Sequence, residues 1–508
     1  MKADIPSQSK LSILNTLSLN QAFTLAKKKI REGAAEEAKK IYKDILKKFP
    51  RNKKAHKALF TLNKPPDQVV NNLLQLYRRG RLVEVTQQSN VILQQYPNAS
   101  VVWDVLGLAA IQNRDLDLSI LAFAKVVELK PNFAEAHNNL GTALKEQGKL
   151  DEAIEAYTKA LSIKPDYAVA YNNKGNALKD QGKLDEAIQA YKKALAIRPD
   201  YAEAVENFQS LAVQLLPISA KYECDFETIE AQLNSEIVLR PMYQIQNVIK
   251  RYLQADFSKV RSYNNNFKAC DQKLLARLSP KDKDFCNAYS IFIGKLLDSN
   301  WDEVPTFENK VYHLGESHCL SYAHRNIRIG DSSFRIAPRL TIGAKAFHFS
   351  RKKQDAFKSI TKAHLLSLPK NSKVFLSYGE IDCRPNEGFI SAARKLNKPL
   401  EELIDQTVEG YVKWFLEQNE DQKHHLFFIN VPAPVYNTEY SADLNSKVAR
   451  TVAHFNLALK KCSVKHGFDT VDVLRITAGN EGFSNSLFNI DNFHLGAKAL
   501  PEIERQLC

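Results

Sequence analysis

The chain has 508 residues, of which 44% are apolar and 25% charged, a composition that excludes an intrinsically disordered chain and at this length calls for about three domains. Its formal net charge of +14 taken alone would point to nucleic acid or an anionic surface. Residues 1–66, however, hold 16 Lys/Arg against 5 Asp/Glu, and the rest of the chain carries only about +3.

The first 15 residues read as an N-terminal tail with no apolar core of signal-peptide length. No run approaches about 18 consecutive apolar residues, so no transmembrane segment is expected. Cys224, Cys270, Cys286, Cys319, Cys383, Cys462 and Cys508 are scattered and form no Cys-x-x-Cys pair. That argues against a zinc ribbon or a disulfide framework, and the expected location is cytoplasmic. The lysine clusters 27–29, 47–48 and 53–54 sit in amphipathic stretches and read as solvated helix faces. No base-stacking aromatic pattern accompanies them, so no specific nucleic acid is expected as a partner.

A 34-residue period follows. Pro97, Pro131, Pro165 and Pro199 are each 34 apart, as are Gly107, Gly141 and Gly175. Small residues (Gly141, Ala153, Ala160 and their equivalents) mark close helix crossings. Tyr157, Tyr191 and Phe123 are expected to fill the layers between repeats. Gly148 and Gly182 mark turns, and each proline stops a helix. The period and pattern resemble the tetratricopeptide repeat (TPR), a helix–turn–helix unit. The array is read as about five repeats plus a capping helix over 16–216, with a short extra helix between Pro50 and Pro66.

The sixth position of each repeat reads Asn71, Val105, Asn139, Asn173 and Asn207. This resembles the asparagine ladder of the O-linked N-acetylglucosamine transferases. The resemblance implies that these amides, which both donate and accept, hold a protein or peptide partner in the groove. A ladder of asparagines merely tolerated on a solvated face is the alternative.

Residues 217–305 lose the period. Phe226–Leu253 and Asp284–Leu297 have helical spacing, and the segment reads as a helical adaptor without a chemical motif. From about 306 the texture changes. Strands are expected at Val311–Gly315, Lys373–Gly379, His425–Pro432 and Phe468–Val473. Helices are expected at Asp355–Leu366, Leu400–Gln418 and Asp443–His466. Such alternation argues an α/β domain with a parallel sheet, whose ligands lie at the carboxyl ends of the strands.

Three polar clusters fall at strand ends or in a late loop: Gly315-Glu316-Ser317, Gly379-Glu380-Ile381-Asp382, and Asp491-Asn492-Phe493-His494. The trio resembles the blocks of the SGNH/GDSL hydrolases over about 306–508. The resemblance implies a flavodoxin-like three-layer fold and acyl transfer without a cofactor. Ser317 would be the nucleophile, His494 the base and Asp491 its orienting carboxylate. The Ser317 N–H, Gly343 (preferred over Gly330 as the second-block glycine), Gly379 and Arg384 are the candidate oxyanion donors. Glu380 and Asp382 would form a buried ion-paired network with Arg384 under the site, the alternative being a direct role on the substrate.

The sequence departs from the family at Ile381, which stands where the family has a donating Asn; Arg384 or Asn386 could substitute. Glu316 replaces the usual Asp. Cys319 and Cys383 read as packing residues. His313, His318, His324 and His348 lack the spacing of a metal site, and no metal is expected. Gly315–Cys319 misses the last glycine of the α/β-hydrolase elbow. The expectation is therefore a TPR-scaffolded serine esterase or O-acyltransferase acting on a small-molecule or glycan ester. The alternative is a non-enzymatic adaptor whose SGNH-like domain only binds a ligand or partner.

Overall fold

The computed structural model describes residues 17–231, 240–269, 272–298, 307–352, 354–479 and 482–508. The N-terminal tail, Cys270, the junction at 299–306 and part of the Phe226–Leu253 stretch lie outside them. The chain divides into two compact units, Met1–Pro165 and Asp166–Cys508. The division falls inside the repeat array.

The first unit is helical. Its pairs are Leu19–Arg31 with Ala35–Lys48, Asp67–Arg78 with Leu82–Gln95, Ser100–Gln112 with Leu116–Leu129, and Ala134–Gln147 with Leu150–Ile163. Lys53–Leu62 is the extra helix. Glycine fixes how closely each pair packs. A Cβ on Gly141 would lie 2.8 Å from the Tyr157 ring, and one on Gly107 would lie 2.8 Å from Phe123. Each aromatic thus covers the glycine of its own repeat. Trp103 and His137, 34 residues apart, bond the carbonyls of Pro97 (2.7 Å) and Pro131 (2.9 Å), tying each first helix to the turn before it.

The second unit begins with one more pair, Ala168–Gln181 and Leu184–Ile197, and the helix Ala202–Leu215. Among the described residues the helices Ala220–Glu230, Pro241–Leu253, Phe257–Lys268, Gln272–Ala276 and Pro280–Asp298 follow. Among the described residues the rest is built on six strands: β1 (Lys310–Gly315), β2 (Asn326–Ile329), β3 (Ser332–Leu340), β4 (Lys373–Ser377), β5 (His425–Ile429) and β6 (Asp469–Val471). Their order is β2-β3-β1-β4-β5-β6.

The sheet is mixed rather than parallel throughout. β1 pairs in parallel with β3 and β4, β4 with β5, and β5 with β6, but β2 pairs antiparallel with β3. The reason is local: a two-residue turn, Gly330-Asp331 with Gly330 at φ +59°, folds β2 back on β3 as a hairpin at the sheet edge. Side-chain alternation splits the core between the two faces. Tyr312, Leu314, Val374, Leu376 and Phe428 face a cluster with Phe349, Tyr411, Phe415 and Phe455 from the helices Ala346–Ser350, Leu400–Asn419 and Ala442–Lys465. Val311, Phe375, Phe427 and Val471 face Tyr322, Leu495 and Ile503. The sheet thus lies between two apolar layers.

Register aligns the carboxyl ends of the strands. Gly315 pairs with Leu340 and Ser377, Leu376 with Phe428, and Ile429 with Val471. At Gly315 a Cβ would lie 2.3 Å from Ser377 Oγ, so only glycine lets the ends of β1 and β4 approach as they do. Gly379, just past β4, has φ +123°, and its absent Cβ would strike the Phe455 ring at 2.4 Å.

Candidate active site

Ser317 is the second residue beyond β1 and is buried. His494 reaches it from the late loop. Its Nε2 lies 2.7 Å from Ser317 Oγ, and its Nδ1 lies 2.9 and 3.0 Å from the two carboxylate oxygens of Asp491. Asp491 Oδ1 also accepts the backbone N–H groups of Phe493 (2.8 Å) and His494 (2.7 Å). That turn fixes the carboxylate and the ring it orients as one element. Burial pushes the Asp491 carboxyl up, but the His494 contact and the two N–H groups outweigh it and hold the group at about 2. The structure therefore brings Ser317, His494 and Asp491 together in one hydrogen-bonded chain.

The segment read as an adaptor contributes directly. From the helix Pro280–Asp298, Phe292 stacks on the His494 ring, with centroids 3.9 Å apart and planes 21° apart. One turn earlier, the Tyr289 hydroxyl donates to Glu316 Oε1 at 3.0 Å. The helical periodicity of this segment marks its apolar face but carries no signal for where that face docks.

The oxyanion side is arranged differently from the expectation. Ser317 opens only a four-residue helix, His318–Ser321, and its N–H donates to the Glu316 carboxylate. The same carboxylate oxygen contacts Ser317 Oγ, so the single hydroxyl proton has two acceptors, Glu316 and His494. Ile381 is buried in the helix Glu380–Cys383. Arg384 forms a bidentate pair with Glu380 (2.9 and 2.8 Å), donates to Glu387 (3.3 Å) and lies over the Phe493 ring at 4.6 Å. Burial would raise the Glu380 carboxyl, but Arg384 holds it below its ordinary range.

Asp382 does not join this pair. It accepts the N–H groups of Ala346 (2.7 Å) and Phe347 (3.2 Å), pinning the loop after β3, with Gly343 at φ +74°, to the loop after β4. Burial pushes its carboxyl up to about 7, although both N–H groups pull it down.

The histidines around the first block are placed by structural bonds. His313 bonds Ser377 Oγ (2.8 Å), His318 the Phe493 carbonyl (2.9 Å), and His324 the Tyr252 carbonyl (2.8 Å), while His348 Nδ1 accepts the Lys345 N–H (3.0 Å). Among the described residues no group of three or more His, Cys, Asp or Glu could hold a metal ion. Cys319 and Cys383 are buried thiols, and burial pushes both well up, away from nucleophilic character.

The repeat asparagines differ from one another. Asn71 is exposed, Asn139 and Asn207 are half-buried, and Val105 is buried. Asn139 Nδ2 lies 3.5 Å from Asp104 Oδ1. Asn207 Nδ2 donates to Asn172 Oδ1 at 3.0 Å, and Asn172 in turn donates to Glu203 at 3.0 Å. Asn173 is half-buried and also bonded within the chain.

Residues 132–200 and 101–133 match family models of the tetratricopeptide repeat. The chain therefore carries tetratricopeptide repeats there, and such repeats are protein-interaction scaffolds. Similar solved structures include MamA, at 26% identity over 34% of this chain and 94% of that one, with a TM-score of 0.25. They also include pilF of Pseudomonas aeruginosa, at 15% identity over 40% and 90%, with a TM-score of 0.33. YrrB, a TPR protein with an unusual peptide-binding site, is similar at 20% identity over 36% and 88%, with a TM-score of 0.25. No curated protein matches the chain. Among the described residues no helix is long and apolar enough to cross a membrane.

Proposed function

We propose that the second unit is an SGNH-type serine esterase or O-acyltransferase, joined to repeats that recruit a protein or peptide partner. The observation that carries the reading is the Ser317–His494–Asp491 chain of hydrogen bonds at the carboxyl ends of the strands. Without the hairpin strand β2, the order β3-β1-β4-β5-β6 corresponds to the flavodoxin-like order, with a switch point between β1 and β4. Ser317 and Gly379 follow those two strands.

In this reading Ser317 Oγ attacks the acyl carbon of an ester and gives its proton to His494 Nε2. The C–O bond to the alcohol breaks, and the alcohol leaves with that proton. Water or an acceptor hydroxyl then attacks the acyl-serine, delivering its own proton through His494. Asp491 stabilises the imidazolium, and the Phe292 ring face does the same by cation–π attraction. Gly343 and Gly379, on the two loops that Asp382 ties together, are the backbone donors this reading assigns to the oxyanion. Arg384, with its donors engaged by Glu380 and Glu387, supports Glu380 rather than the oxyanion. No cofactor is required, the substrate is a small-molecule or glycan ester, and a reducing cytoplasm suits the buried thiols.

One observation favours a second reading. Glu316 occupies the Ser317 N–H, and Ile381 cannot donate, so two donors of a working oxyanion hole are missing. An adaptor that only binds a ligand would look like this. Ester turnover separates the two. The esterase reading expects hydrolysis of p-nitrophenyl esters that Ser317→Ala abolishes, whereas the adaptor reading expects none from either protein. For the repeats, Asn139→Ala with Asn173→Ala should weaken recovery of peptide partners in pull-downs while the helical circular dichroism stays unchanged. Unchanged recovery would remove the asparagine ladder from the account.

A further inference from the structure

The loops carrying the triad also wall a cavity of about 240 Å³. Glu380, the residue after Gly379, lines it, and so do Asn492 and Phe493, the two residues between Asp491 and His494. Its far wall is Val431 to Val435, with Val448 and Val452 from the helix Ala442–Lys465. Ser317 lies outside it. A chain attached to the carbonyl under attack would enter by passing the edge formed by Glu380 and Phe493.

This far wall is apolar in its side chains, and part of its backbone is already bonded. The Val431 N–H and carbonyl are both bonded by the Asn456 side chain (2.9 and 2.7 Å), and the Ala433 N–H donates to Thr477 Oγ1 (2.9 Å). Asn445, the buried polar residue of this wall, spends its amide on Asn437, Tyr440 and Ser441. Asn386, Asn437, Tyr440 and Asn492 also line the cavity, so it is against the valine wall that a sugar would leave hydroxyls unpaired, a costly arrangement. The charges at the rim are Glu380 and Glu387 against Arg384 and Lys345, a balanced set that offers no unpaired cation to an anionic chain.

We infer that this cavity is an acyl-chain pocket, so that the site takes esters of neutral aliphatic acids of medium length. The inference rests on the esterase reading for its use and on the cavity for its content. A dry apolar cavity of about 150 Å³ holds benzene, so by proportion this one takes roughly six to ten carbon atoms. Each methylene buried is worth roughly a fourfold gain.

The test uses methyl esters from acetate to palmitate with the full chain. Expected is a kcat/KM at hexanoate to decanoate at least tenfold above acetate. Val448→Trp, which fills the cavity, should cut the octanoate-to-acetate ratio at least tenfold, and Val448→Ala, which enlarges it, should move the optimum to longer acids. Binding of methyl octanoate against methyl acetate to Ser317→Ala is measured in parallel by ligand-observed NMR. Octanoate binding without turnover in the wild-type chain keeps the pocket and removes the esterase. Turnover that favours acetate, with a ratio unmoved in both Val448 variants, removes the pocket and keeps the esterase. Absence of both binding and turnover removes both. If octyl acetate is preferred to methyl octanoate and Val448→Trp abolishes that preference, the cavity holds the alcohol and the proposal falls.

Discussion

Replacing Asp491 by Asn tests the orienting carboxylate with almost no change of shape. Both backbone N–H bonds of the turn go to Oδ1, at 2.8 and 2.7 Å, and an asparagine keeps that oxygen. The other oxygen, 2.9 Å from His494 Nδ1, becomes an NH₂ group. An NH₂ at that distance donates to Nδ1 and repels a proton there, in competition with the retained Oδ1 at 3.0 Å, and so favours the tautomer with the imidazole proton on Nε2. That proton then points at Ser317 Oγ, 2.7 Å away, and the ring can no longer accept the serine proton. Where the same tautomer error has been made in serine hydrolases, kcat falls about 10⁴-fold, or about 5 kcal/mol of barrier. The assay is kcat on a p-nitrophenyl ester, with the melting temperature as a control for the turn. Asp491→Asn at more than a tenth of wild-type kcat, with unchanged melting, would refute the orienting role.

Other expectations follow from packing and ionisation. In the repeats, Gly175→Ala places a Cβ 2.5 Å from Tyr191 Cε1, an overpacking that should cost about 1–3 kcal/mol of stability by urea unfolding. Asp382 sits at about 7 in the folded chain, above its unfolded value of about 3.9. Its contribution is therefore fully present below about pH 4 and is lost as pH rises through 7. Asp382→Asn should flatten that dependence, so the difference in melting temperature between wild type and variant should change between pH 4.5 and 7.5. A difference that stays constant across that range would contradict the buried carboxyl.

The sequence discloses the repeats because each copy restates the same steric demands at an interval of 34. Strands β1, β4, β5 and β6 are legible for another reason: a strand covered on both faces reads as an apolar run. The hairpin β2–β3 lacks that signature. β3 lies next to the edge strand, mixes Arg335 and Arg339 with apolar residues, and contains Pro338, which argues against a strand by rule. Gly330-Asp331 was the available sign, since a glycine–aspartate pair suits a two-residue hairpin turn. At the site, the serine and the Asp-x-x-His loop are visible as motifs, while Tyr289 and Phe292 are not. Their role depends on where the helix Pro280–Asp298 docks, a long-range packing outcome with no local code. Glu316 was visible as a residue but not as a competitor for the Ser317 proton, because that depends on its rotamer.

The proposed reaction requires Ser317 to be an activated nucleophile. Treating the purified full chain with a fluorophosphonate probe measures this directly, since phosphonylation requires a base-assisted hydroxyl but no particular ester. Expected is labelling of the wild-type chain that is lost in Ser317→Ala and strongly slowed in His494→Ala. A folded wild-type chain that takes no label, or a label that persists in Ser317→Ala, would contradict it.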